Sequence, residues 1–138
     1  MLLTKRIMSK CDHEQVASAA DRARDSWATY APHLDAFRAE LRRARAVPAA
    51  EVPADVVTMN SRFALWSRRS DETMCYTLAY PDDECLRLGR VSVLSPMGQA
   101  VLGARAGEEV CWVSSAGPEV AVVRRILYQP EAAGHHRG

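Results

Sequence analysis

Two lysines among 18 basic residues, four cysteines with no C-x-x-C pair, and four histidines with none at i, i+4 spacing to another histidine or a cysteine leave little ready-made chemistry in this 138-residue chain. Zinc-finger and redox-pair readings fall away with those spacings. Cys11, Cys75, Cys85 and Cys111 are expected to be reduced thiols, and the His135–His136 pair to belong to a short tail, 135–138. No G-x-S-x-G, G-x-x-x-x-G-K or G-x-G-x-x-G sequence is present, so nucleophile-elbow, phosphate-loop and dinucleotide readings are excluded. Long apolar runs are missing too. The longest stretch without a charged residue, Val91 to Ala104, contains Pro96 and is too short to span a bilayer. Lys10, Asp12 and Glu14 interrupt any apolar signal core near the N-terminus, and a cytoplasmic protein is expected.

Charge of one sign is scarce as well: 18 Lys+Arg oppose 17 Asp+Glu. A generically basic nucleic-acid binder is excluded by that balance. Split after Ala50, however, the chain holds 9 basic and 6 acidic residues, then 9 and 11, so it is slightly basic in front and slightly acidic behind. The 48% hydrophobic content is too high for disorder and sufficient for a folded core.

What is present begins with helical periodicity. Val16, Ala20, Ala23, Trp27 and Tyr30 recur at spacings of four and three, as do Leu34, Phe37, Leu41 and Ala44. Asp12 with Gln15 resembles a capping box and places the first helix start near Asp12. Pro32 divides the two helices, which are expected to fold back as a short antiparallel coiled-coil hairpin over 1–47. Arg38, Arg42 and Arg45, with Arg43 beside them, line the face opposite the seam. They are read either as a solvated face or as possible contacts with acidic protein or phosphate.

Val47 to Pro53 reads as a Pro/Ala linker marking a boundary, and a second domain is expected over 53–134. Short β-branched and aromatic runs follow at Asp55–Met59, Arg62–Trp66, Thr73–Tyr80, Arg90–Leu94, Glu109–Val113 and Val120–Tyr128, with a helical stretch over Met97–Ala104. About five antiparallel strands curled over one short helix make an α+β fold. Asp82, Asp83 and Glu84 form an acidic turn, read as a solvated loop. No metal or other cofactor, no membrane and no small-molecule substrate is implied.

The most distinctive segment is Gly89-Arg90-Val91-Ser92-Val93-Leu94-Ser95-Pro96-Met97-Gly98-Gln99-Ala100-Val101-Leu102-Gly103, continuing to Gly107-Glu108. It resembles the C-terminal signature of the bacterial Gre transcript-cleavage factors. Val52 to Arg62 and Tyr128 to Gly134 are similar to a branch of those relatives, the regulators of nucleoside diphosphate kinase. The resemblance implies an FKBP-like sheet domain and RNA polymerase as the partner, bound at the rim of the secondary channel, with nucleic acid met only through polymerase. On that basis Ser95, Pro96 and Met97, with Tyr80 and Pro81, are the expected contact residues. In the cleavage factors a longer coiled coil carries acidic residues at its tip. Here the turn runs Thr29-Tyr30-Ala31-Pro32-His33-Leu34, flanked by Asp25 and Asp35. The implied activity is therefore regulation without transcript cleavage, competition with Gre factors, and an indirect influence on nucleoside diphosphate kinase. The shared fold class also raises a peptidyl-prolyl isomerase or peptide-binding module as the alternative, which would need an aromatic-lined pocket.

Overall fold

A computed structural model describes residues 6–26 and 31–134. Ile7–Ser9 (β1) leads into helix Lys10–Ser26 (α1), and helix Ala31–Arg43 (α2) returns into Arg45–Val47 (β2). β1 and β2 pair in parallel, with Met8 opposite Ala46. The helices run in opposite directions: His13 Nε2 donates to the Leu41 carbonyl at 2.8 Å, and Arg38 Nε meets Asp21 Oδ1 at 2.9 Å. Their facing residues are those of the three-four spacing. Val16, Ala20, Ala23, Leu34, Phe37 and Leu41 are buried, whereas Trp27 and Tyr30 lie outside the described residues.

The start of α1 differs from expectation. Ser9 supplies the cap, its Oγ accepting from the Asp12 N–H at 3.0 Å, which is the side-chain bond an N-terminal turn needs. Asp12 therefore does not cap the helix, and its carboxylate turns to the rest of the molecule. α2 ends at Arg43, so Arg45 stands on β2 instead of the helical face.

The main sheet has five strands in the order β5-β4-β3-β7-β6. They are Arg62–Ser67 (β3), Glu72–Ala79 (β4), Arg90–Ser92 (β5), Glu109–Ser114 (β6) and Gly117–Tyr128 (β7). Helices Pro96–Val101 (α3) and Pro130–Ala133 (α4) complete the fold, the latter not anticipated from the sequence. Two further corrections concern the strands. β5 pairs with β4 in parallel, so the sheet is mixed. Asp55–Met59 forms no strand, contributing only an isolated bridge between Val56 and Arg105.

One hydrophobic core joins both halves of the chain. Met8, Val16, Phe37 and Leu41 belong to the same buried cluster as Phe63, Leu65, Leu78, Val101 and Val123. The expected linker is packed as well: Val47, Ala49 and Val52 are buried, with a single 3₁₀ turn over Ala49–Glu51. Proline and alanine there mark a tight, ordered crossing rather than slack chain.

Candidate functional site

β4 and β5 end side by side, the Val93 N–H donating to the Ala79 carbonyl at 2.8 Å. The chain leaving β4 forms Tyr80-Pro81, and the chain leaving β5 forms Leu94-Ser95-Pro96-Met97. Parallel pairing thus brings the two segments expected to make contacts to the same end of the sheet.

Two serines build the corner. The Ser95 hydroxyl donates to the Ser92 carbonyl at 2.7 Å and accepts from the Gly98 N–H at 3.1 Å, capping α3. Ser92 Oγ accepts from the Leu94 N–H at 3.1 Å. Pro96 occupies the first helical turn, where a missing N–H costs nothing. Gly98 is required by contact: a Cβ there would stand 2.0 Å from the Ser92 carbonyl oxygen. α3 therefore lies directly on the end of β5. Pro96 is exposed, and Met97 is half-buried against the core. Between this corner and α1 runs an open groove, lined by Tyr80, Pro81 and Leu94 on one side and Gln15, Ala19 and Arg22 on the other.

The remaining expected residues are dispersed. Arg38 pairs with Asp21 and serves the helix packing, while Arg42 and Arg43 are exposed. Asp82, Asp83 and Glu84 are exposed in and after a 3₁₀ turn, Pro81–Asp83. All four cysteines are free thiols. Among the described residues no three His, Cys, Asp or Glu side chains are grouped so as to hold a metal ion.

The long-range roles of three polar residues were not foreseen from the sequence. Arg6 is buried. Its guanidinium donates to the carbonyls of Gln99 and Leu102 at the end of α3, bonds Glu40 of α2 at 3.2 Å, and lies 5.6 Å from the Phe37 ring centroid. Gln129 donates to the Pro53 and Val56 carbonyls, both at 2.8 Å, and accepts from the Ala132 N–H. Asp12 accepts from the Met59 N–H at 3.1 Å. It borders a pocket of about 400 Å³ that also touches Glu131, Asp83, Tyr80, Tyr128 and Cys11. Burial, followed by the Glu131 carboxylate, pushes Asp12 up to about 7 against the opposing bonds from Met59 and Tyr80. A lone Arg, Gln or Asp carries no local pattern that announces such long-range partners. Only Gln129 had a hint, standing before Pro130 at the start of a short helix.

A mixed sheet crossed at one end by a Ser-Pro-capped helix, with a short antiparallel helix pair against the same core, defines the class. Residues 52–128 match the family model for the C-terminal domain of the transcription elongation factors GreA and GreB, and the chain belongs to that family. Its similarity to one member runs further: the regulator of nucleoside diphosphate kinase of Escherichia coli K12 is 40% identical over 106 residues, covering 76% of this chain and 78% of that protein. The solved prokaryotic GreA/GreB factor from Nitrosomonas europaea is 32% identical, with a TM-score of 0.74 over 90% of this chain and all of that one. GreA of Pelobacter propionicus is 26% identical over 70% of this chain but only 61% of its own length. No helix among the described residues is long and apolar enough to cross a membrane.

Proposed function

We propose that this chain is a non-enzymatic transcription regulator that docks on RNA polymerase near the secondary channel, through Ser95, Pro96 and Met97 with Tyr80 and Pro81. The observation that carries the reading is the corner itself. An exposed proline stands on backbone held by two serine hydroxyls, inside the segment that the family model matches. Rigid apolar projections of this kind lose little entropy on binding. In this reading Ser95 fixes the corner, while Pro96 and Met97 offer apolar surface.

The helix pair supports docking without cleavage. α1 has 17 residues and α2 has 13, so the pair reaches roughly 25 Å at 1.5 Å per residue. From Ser26 to Leu34 the sequence has no carboxylate to present at a tip. A group that assists metal chemistry must reach coordination distance, and this turn brings none. Occupying a Gre site would then block cleavage factors, and altered nucleoside diphosphate kinase levels would follow indirectly. The isomerase alternative finds no support. Phe63 and Tyr76 pack with the core rather than lining a cleft, and the pocket beside α1 is faced by carboxylates.

The test is co-purification with core RNA polymerase, comparing the wild type with Pro96→Ser/Met97→Ser. Retention of the wild type, its loss in the variant, competition with GreA and absence of cleavage in backtracked complexes are expected. Failure of the wild type to bind polymerase would overturn the reading.

A further inference from the structure

The outer face of the main sheet carries a charge pattern that the docking corner does not use. Across the register Arg62 stands opposite Thr77, and Thr77 opposite Arg90, which puts both arginines on one face. They are separated by two strand spacings, about 10 Å. On the other side of β3, Arg125 is opposite Ala64, two residues along from Arg62 and therefore on the same face. The register slips between Ala64 and Leu65, leaving Arg124 at a bulge. Its guanidinium is 5.1 Å from the centroid of Trp66, the next outward residue of β3. All four arginines are exposed, and none has an ion-pair partner among the described residues. Two carboxylates border this face: Glu109 is engaged by Arg68 at 3.0 Å, and Asp71 accepts from the Trp66 indole N–H at 2.8 Å. The opposite face packs on the core, since Phe63, Leu65, Leu78 and Val123 point inward and are buried.

Unpaired cations spread over an open sheet attract a polyanion. All four are arginines, whose planar forks grip phosphate in bidentate fashion and whose faces stack on bases. Trp66 under Arg124 adds an aromatic element to the surface. Among the described residues no helix or ribbon projects from the face to enter a duplex groove, which disfavours double-stranded DNA. Sheets bearing arginines and an aromatic suit splayed single strands, whose phosphates and base faces are both accessible.

We propose that this face, formed by Arg62, Arg90, Arg124, Arg125 and Trp66, binds single-stranded nucleic acid through its phosphates, with modest sequence preference. The surface is separate from the Ser95-Pro96-Met97 corner and does not depend on polymerase docking there. The near-neutral net charge means that attraction is local, so affinity is strongly weakened by salt. Four neutralised phosphates give a log–log salt slope of about −2.8, or roughly 50-fold weaker binding between 50 and 200 mM salt.

The experiment is fluorescence anisotropy with a labelled 12-nucleotide oligouridine and the full chain, from 25 to 200 mM KCl. Arg62→Ala/Arg125→Ala is expected to bring the slope to about −1.4. Arg62→Lys/Arg125→Lys, which keeps the charges in the same fold, retains most of the slope and separates electrostatics from damage to the sheet. Arg42→Ala/Arg43→Ala on α2 leaves binding unchanged. No binding by the wild type at 25 mM salt overturns the proposal, as does binding indifferent to the Arg62/Arg125 pair. Displacement by polyglutamate at equal charge concentration overturns nucleic acid as the occupant in favour of acidic protein. Equal affinity for a duplex of the same length overturns the single-strand assignment.

Discussion

Replacing Asp12 by Asn tests how the first helix is attached to the sheet. Raising Asp12 from its ordinary 3.8 to about 7 makes the folded state hold a proton that the unfolded chain releases. At ~1.36 kcal/mol per pH unit this corresponds to about 4 kcal/mol. The folded state binds more protons between those two values, so stability falls as pH rises through the window and is level above it. Asn cannot ionise, yet its amide oxygen can still accept from the Met59 N–H. Asp12→Asn should therefore be more stable than wild type, by an amount that grows about 2–3 kcal/mol between pH 5 and pH 8. Urea unfolding followed by circular dichroism at four pH values measures it, the midpoint difference widening by about 1–2 M. Glu131→Gln removes the second cause of the shift and should move the wild-type decline to lower pH. Parallel pH profiles for wild type and Asp12→Asn, agreeing within about 0.5 kcal/mol, would refute the reasoning, because a buried, raised carboxyl must leave that signature.

Ser95→Ala deletes the cap of α3 and should cost about 1 kcal/mol in chemical denaturation while retaining a folded spectrum. Gly98→Ala drives a Cβ into the Ser92 carbonyl, and since backbone cannot yield cheaply, a loss of about 3 kcal/mol or more, seen as a collapsed urea midpoint, is expected. Arg6→Met leaves the Gln99 and Leu102 carbonyls and Glu40 without their donor. About 2–4 kcal/mol should be lost in the same assay, with incomplete rescue by Lys, whose point charge lacks the fork. Gln129→Leu should cost about 2–3 kcal/mol and increase amide exchange around Val56, because the buried Val56 carbonyl and the half-buried Pro53 carbonyl lose their partner.

The elements that could be read from the sequence are those whose signal is local and repeated. The three-four spacing of Val16, Ala20, Ala23, Leu34, Phe37 and Leu41 foretold the packed face of the helix pair, and the β-branched and aromatic runs foretold β3, β4, β6 and most of β7. Asp55–Met59 misled because Val56, Val57 and Met59 are apolar for burial in a loop, not for pairing. β1 and β2 have three residues each and exist because they meet across the helices. Such short strands have no period to detect. At the corner, Pro96 was legible as a strand stop and helix start, since a proline acts on its own neighbours, whereas the Ser95 cap emerges only from the structure. Asp12 invited a local capping reading because Gln15 stands three residues on, and the distant Met59 N–H that it bonds leaves no trace nearby. The parallel β4–β5 pairing that gathers Tyr80 near Leu94 was likewise invisible, because direction of pairing depends on the whole intervening path.

The β1–β2 pair ties the two ends of the helical segment to each other at the base, and Met8 and Val47 on those strands are buried. An arm fastened at both roots cannot peel away one helix at a time. Its breathing must be shared with the sheet, so a protease given the native protein should find no early cut near Pro48, and the whole described chain should melt in one step. Any motion of the arm is then pivoting of a fixed unit, with the strain delivered straight to the end of α3 through Arg6.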